Sequence, residues 1–129
     1  MLSQLYIENI AVIEQASIDF ESGFNVLTGE TGAGKSIVID AIQAIRGERI
    51  SRDLIRTGAQ SAEVSAVFTD LSPATLARVR ELGYEPEEDG SLLIQRVIRP
   101  EGKSLCRIGR RPATVSVLRE LGERLVSIL

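Results

Sequence analysis

The chain has 129 residues, 43% of them apolar and 26% charged, with a formal net charge of −3. That length suits one domain with enough chain to bury a core, and the composition excludes a disordered, collagen-like or disulfide-framed chain. The sequence holds no histidine and one cysteine, Cys106. This excludes histidine-based triads and dyads, histidine zinc sites and any internal disulfide.

The first eleven residues carry Glu8 and Asn9 without a basic leader and do not read as a signal peptide. The longest apolar-rich stretch, 37–45, is broken by Asp40 and Gln43 and is far too short to span a membrane. Leu2 to Asn9 alternate as a strand with Leu5 and Ile7 inward, and Ala16 to Phe20 follow as a second. Glu21-Ser22-Gly23 is a turn, and Phe24 to Thr28 a third short strand running into a glycine-rich loop. The period then becomes helical, with Val38, Ile42 and Ile45 on one face, Ala41 and Ala44 beside them, and Gly47 as a stop. Ser61 to Thr69 alternate as a half-exposed strand. Ser72-Pro73 starts a helix carrying Leu76, Val79 and Leu82, closed by Gly83. An acidic loop, 85–90, precedes two strands, Ser91 to Arg99 and Lys103 to Gly109, joined by Pro100-Glu101-Gly102. Thr114 caps a last helix with Leu118, Leu121 and Leu125, and the chain closes on a strand-like apolar run, 126–129. Such an ending suggests a portion of something longer.

One motif carries chemistry. Gly29-Glu30-Thr31-Gly32-Ala33-Gly34-Lys35-Ser36 satisfies the phosphate-loop pattern at every fixed position, between a strand and a helix. Its glycines permit the backbone angles that turn successive N–H groups toward phosphates, at the positive end of the helix dipole. Lys35 is placed for the β and γ phosphates and is the candidate catalytic residue, and the Ser36 hydroxyl is placed for Mg²⁺. Hydrolysis also needs a second acidic residue and a group to orient water. Asp70 ends a half-exposed strand and Asp40 lies on the helix, and both are weak candidates.

Two further features are basic. Arg96, Arg99, Lys103, Arg107, Arg110 and Arg111 stand against Glu101 alone, a local charge of +5 over residues 96–111. They are candidate DNA-backbone contacts, with a solvated hairpin face as the plainer reading, since no aromatic residue is interleaved for base stacking. Arg56 follows the loop's helix and is a candidate for phosphate or partner contact, or an ordinary surface arginine.

The chain resembles the N-terminal part of the RecN family, bacterial DNA-repair ATPases related to SMC proteins. The resemblance runs through Leu5 to Ile13, Ile18-Asp19-Phe20, Gly23 to Thr28, the phosphate loop with Ile37 to Ala41, Leu54 to Gly58, Ala62 to Val64 with Phe68, Gly109 to Val115, and Leu118 to Gly122. It implies an α/β fold, with a P-loop NTPase core of ABC/SMC head type and an added antiparallel sheet. Residues 1–129 then form a single partial domain, the N-terminal portion of a head. It also implies ATP with Mg²⁺, DNA as a partner of the full-length protein, a second head of the same protein, and a cytoplasmic, nucleoid-associated setting. The signature motif, the Walker B acidic pair and the switch histidine of the family have no counterpart in these residues, so hydrolysis by this chain alone is expected to be weak or absent. Two readings compete: a small P-loop kinase, which predicts an acceptor and an arginine-bearing lid, and a non-catalytic module that keeps the loop for regulation.

Overall fold

Strands form in this chain where apolar side chains recur at every second position. The computed structural model describes residues 1–20 and 31–125, with the side chains of 31–35 left aside. Its strands are β1 (Leu2–Ile10), β2 (Ile13–Asp19), β3 (Ala62–Phe68), β4 (Leu92–Ile98), β5 (Ser104–Ile108) and β6 (Arg111–Ala113). They make one sheet in the order β2-β1-β3-β4-β5-β6, and every neighbouring pair is antiparallel. β3 illustrates the cause: Ala62, Val64, Ala66 and Phe68 are buried, whereas Glu63, Ser65 and Val67 turn half-exposed to the other face. The pattern is continuous across the sheet, since Leu5 pairs with Ala66, Ala66 with Ile94 and Ile94 with Ile108.

The expected antiparallel strands are therefore present. β6 is an addition to the sequence reading, a short edge strand that tolerates Pro112 because its outer side pairs with nothing among the described residues. The expected turn at Glu21–Gly23, the strand at Phe24–Thr28 and the apolar run at 126–129 lie outside the described residues.

Three helices complete the fold: α1 (Thr31–Ile45), α2 (Pro73–Glu81) and α3 (Val115–Leu125). α1 buries Ile37, Val38, Ala41, Ala44 and Ile45 in the core it shares with the sheet. Ser72 caps α2 by accepting from the Thr75 N–H at 3.1 Å, and Thr114 caps α3 by accepting from the Val117 N–H at 3.2 Å. α2 and α3 are joined by Arg78, whose Nε and Nη2 both donate to the Glu120 carboxylate.

The C-terminal end of α1 is held from two sides. Gly47 turns the chain at φ +79°, and a Cβ on it would lie 2.4 Å from the Arg119 nitrogen of α3. A Cβ on Gly122 would lie 2.7 Å from Arg46 Cα. These two glycines set how closely α3 approaches the end of α1. From the sheet side comes Arg96 of β4, which is 4% exposed. It stands in a cross-sheet row with Ile7, Val64 and Cys106. Its Nη1 donates to the carbonyls of Ala44 at 2.9 Å and Glu48 at 2.7 Å, and its Nε donates to Ser104 Oγ at 3.0 Å.

Urea or thermal unfolding of single variants checks these interactions. Glycine to alanine within a helix ordinarily gains up to about 1 kcal/mol, but Gly122→Ala should lose about 1–3 kcal/mol through overpacking against Arg46. Arg96→Met should cost about 3 kcal/mol because buried carbonyls lose a charged donor, while exposed Arg99→Ala should stay within about 0.5 kcal/mol. Acid probes the link between α2 and α3. The Arg78 hydrogen bonds hold the Glu120 carboxyl below its ordinary value of 4.5. A lowered carboxyl stabilises above that ordinary value, and the contribution disappears as pH falls through the folded value. Glu120→Gln should therefore flatten the fall in melting temperature below pH 4.5.

Candidate functional site

α1 has two ends of opposite polarity, and the sequence loads both with the matching chemistry. It begins at Thr31. The segment Thr31 to Ser36 thus forms the opening turns of a helix, where backbone N–H groups lack intrahelical partners and the dipole favours an anion. Gly29 and Glu30 lie outside the described residues, as do the side chains of Thr31, Gly32, Ala33, Gly34 and Lys35. Ser36 is exposed, a hydroxyl oxygen of the kind Mg²⁺ accepts. The helix start and this donor fit a Mg²⁺–nucleotide. Asp40 is half-buried on α1, and Asp70 is exposed with φ +54°. Among the described residues no cluster of three acidic or cysteine side chains could hold a metal.

The six basic residues of 96–111 do not share a face. Arg96 points into the core side of the sheet, onto α1. Arg99 and Lys103 sit exposed at the β4–β5 turn. Arg107 is exposed on β5, with Nη2 3.4 Å from the Arg110 carbonyl. Arg110 and Arg111 lie at the opposite end of β5, lining one depression with Glu85, Glu87 and Glu88. Their charge is offset there by the acidic loop. The local +5 is thus split between both sheet faces and both hairpin ends, because β alternation sends neighbouring side chains in opposite directions. Arg56 has its backbone N–H on the Asn9 carbonyl at 2.8 Å and its guanidinium 3.8 Å from the Glu14 carboxylate. This is a loose, exposed pair beside the β1–β2 turn.

A different set of arginines comes together. Arg49, Ser51, Arg52, Arg96, Ser104 and Arg119 line an open groove of about 860 Å³ at the carbonyl end of α1. Among the described residues no carboxylate lines it, and none of these four arginines is in an ion pair. Burial lowers the Arg96 pKa from its ordinary value, and the nearby Arg119 charge lowers it further. Burial likewise raises the Cys106 thiol, against the pull of Arg96, which leaves Cys106 an unreactive packing residue. Sequence reading missed this groove because Arg49 and Arg52 are separated from Arg119 by several strands and a helix. The one local signal was the pair of arginines just past the glycine that ends α1.

Residues 4–103 match the AAA domain family (AAA_23). The chain is 43% identical to the DNA repair protein RecN of Halalkalibacterium halodurans over 130 aligned residues, covering 99% of this chain and 23% of that one. It is 40% identical to RecN of Bacillus subtilis, covering 99% and 22%. The chain thus spans less than a quarter of the length of these curated relatives. Among solved structures, it superposes on an SMC ATPase described for ATP-driven dimerisation and DNA-stimulated activation, at TM-score 0.69 and 25% identity, covering 93% of this chain and 76% of that one. A structure of RecF bound to an ATP analogue superposes at TM-score 0.63 and 13% identity, covering 92% and 29%, and shows the fold alone. The fold is the N-terminal part of an SMC/ABC-type head, with the antiparallel sheet that the sequence implied. The chain belongs to the AAA domain family and is RecN-like across nearly its whole length.

Proposed function

We propose that this chain is the nucleotide-binding part of a RecN-like ATPase head that acts in DNA double-strand-break repair and recombination. One observation carries the proposal: the phosphate-loop motif 29–36, of which residues 31–36 open α1, in a chain that is RecN-like over 99% of its length. ATP is the nucleotide, with the backbone N–H groups of Gly29 to Ser36 around its phosphates. Lys35 neutralises the β and γ phosphates, and Ser36 gives one oxygen to Mg²⁺. Residues 1–129 act as one partial domain. ATP closes this head against a second head of the same protein and so controls the grip on DNA, with the rest of the head supplying the groups that hydrolysis needs. By itself the chain binds ATP and turns it over weakly or not at all. The setting is the bacterial cytoplasm and nucleoid, which the resemblance to bacterial RecN proteins supports.

A thermal shift tests the binding step. Mg-ATP at 100 times its dissociation constant should stabilise the chain by about 2.7 kcal/mol. Lys35→Ala should abolish that shift while leaving the melting temperature without ligand unchanged. Equal shifts in both proteins would remove Lys35 from the phosphate site, and no shift in either would remove the site from this chain.

A further inference from the structure

We propose that the face of the sheet turned away from the helices docks on the same face of a second copy of this chain, as a two-fold dimer that needs no nucleotide. This goes beyond the reading above and rests on none of it. α1 lies on the other side of the sheet, where it shares the core and meets Arg96.

All three helices contribute to one core with Val64, Ala66, Ile94 and Ile108. Alternation sends Tyr6, Val67, Leu93 and Val97 to the opposite face, and none of them belongs to that core. Val67 pairs with Leu93 and Val97 with Leu105 across neighbouring strands, and Leu105 is 52% exposed. Charge divides this face. Glu8 and Glu63 stand directly opposite each other on β1 and β3. Each accepts only from a neutral hydroxyl, of Tyr6 at 2.6 Å and of Ser65 at 3.2 Å. On the other half, the Arg99 N–H donates to the Lys103 carbonyl at 2.9 Å, which carries the Val97–Leu105 face on to the hairpin end. Arg107 follows on the same face of β5, and all three cations are exposed. Among the described residues none of these five charged groups is in an ion pair. Like charges set side by side weaken the strand pair that holds them. Glu63 and Arg107 line one depression of about 440 Å³ without meeting.

That division selects the partner. The sheet runs β2-β1-β3-β4-β5-β6, with the carboxylates on β1 and β3 and the cations on β5 and its turn. A two-fold axis lying along the strands between β3 and β4 places each copy's acidic half over the other's basic half. The same operation brings Val67, Leu93, Val97 and Leu105 of both copies to the centre. Sheets stack face to face in this way about 10 Å apart. A nucleic acid or a partner of one charge sign matches half of the face and is repelled by the other half, whereas a second copy matches both. The five longer strands give a face of roughly 24 by 23 Å, so two copies bury about 1,100 Å², enough for a specific but weak dimer.

Sedimentation velocity of the full chain, over about 1–500 μM, tests this. The weight-average mass should climb from that of one chain toward twice that mass, and the association should weaken as salt is added. Glu8→Lys/Glu63→Lys makes the face cationic throughout, and Arg99→Glu/Lys103→Glu/Arg107→Glu makes it anionic. Each variant alone should associate at least about tenfold more weakly than the parent, because like charges then meet. An equimolar mixture of the two should regain the parent's association, which shows that both are folded. Leu105→Asp, at an exposed position, should melt like the parent and stay monomeric. Mg-ATP should leave the parent's association unchanged. A parent that stays monomeric across the whole series overturns the proposal, whether the face is bare or meets a different protein. Parent-like association by Leu105→Asp overturns it, as does a mixture of the folded charge-reversed chains that remains monomeric. Association that appears only with Mg-ATP overturns it in favour of a contact through the nucleotide site. Loss of association in Val12→Asp, exposed at the β1–β2 turn, alongside an associating Leu105→Asp, overturns it in favour of that turn.

Discussion

Arg96 occupies a position that the sheet reserves for an apolar side chain. Its neighbours in the cross-sheet row are Val64 on one side and Cys106 on the other. Burying a lone charge there costs several kcal/mol, and no carboxylate offsets it among the described residues. The compensation comes from the end of α1. The last carbonyls of a helix lack intrahelical donors and together carry about half a negative charge. Arg96 meets two carbonyls there, at Ala44 and Glu48. The Ala44 carbonyl also accepts from the Gly47 N–H at 3.1 Å, so Arg96 adds a charged donor there while the helix pole offsets its buried charge. The position of α1 on the sheet is therefore fixed at this point, and with it the helix whose first residues, 31–36, carry the end of the phosphate-loop motif.

The rest of the packing follows from that fixed point. Because the chain must turn at once after the Arg96 contact, Gly47 takes a positive φ. Because α3 then crosses the same spot, Gly122 has no room for a Cβ. α2 is drawn in through the Arg78 to Glu120 link. The sheet, α1, α3 and one loop thus converge on a few residues at the carbonyl end of α1. The same convergence gathers Arg49, Arg52 and Arg119 into one groove. Their clustering is a product of tertiary packing and has no counterpart in local sequence.

That difference explains what the sequence disclosed. The phosphate-loop motif is readable from sequence because it is a spacing within eight positions, 29–36. The caps at Ser72 and Thr114 and the strands β1 to β5 were legible because they too are local patterns. Arg96 was legible in principle. Leu92, Ile94 and Ile98 mark the buried face of β4, and position 96 falls on it by simple alternation. Counting charges along residues 96–111 hides this, since a charge sum ignores which way each side chain points. β6 escaped notice because three residues, one of them proline, give too little alternation to read. The groove needed long-range geometry that one sequence does not contain.

The groove arginines also differ in freedom, and this bears on how an anion would be met. Arg96 is held by three hydrogen bonds and is oriented before any ligand arrives. Arg119 reaches the Gly47 carbonyl at 3.3 Å, a long contact that is readily given up. Arg49 and Arg52 are exposed. An arginine carries about 2 kcal/mol of rotamer entropy, so immobilising the outer side chains opposes binding, whereas Arg96 contributes its field at no such cost. Because Arg96 is spent on the Ala44 and Glu48 carbonyls, it acts as a fixed structural cation, with Arg49, Arg52 and Arg119 as the solvent-facing charges of the groove.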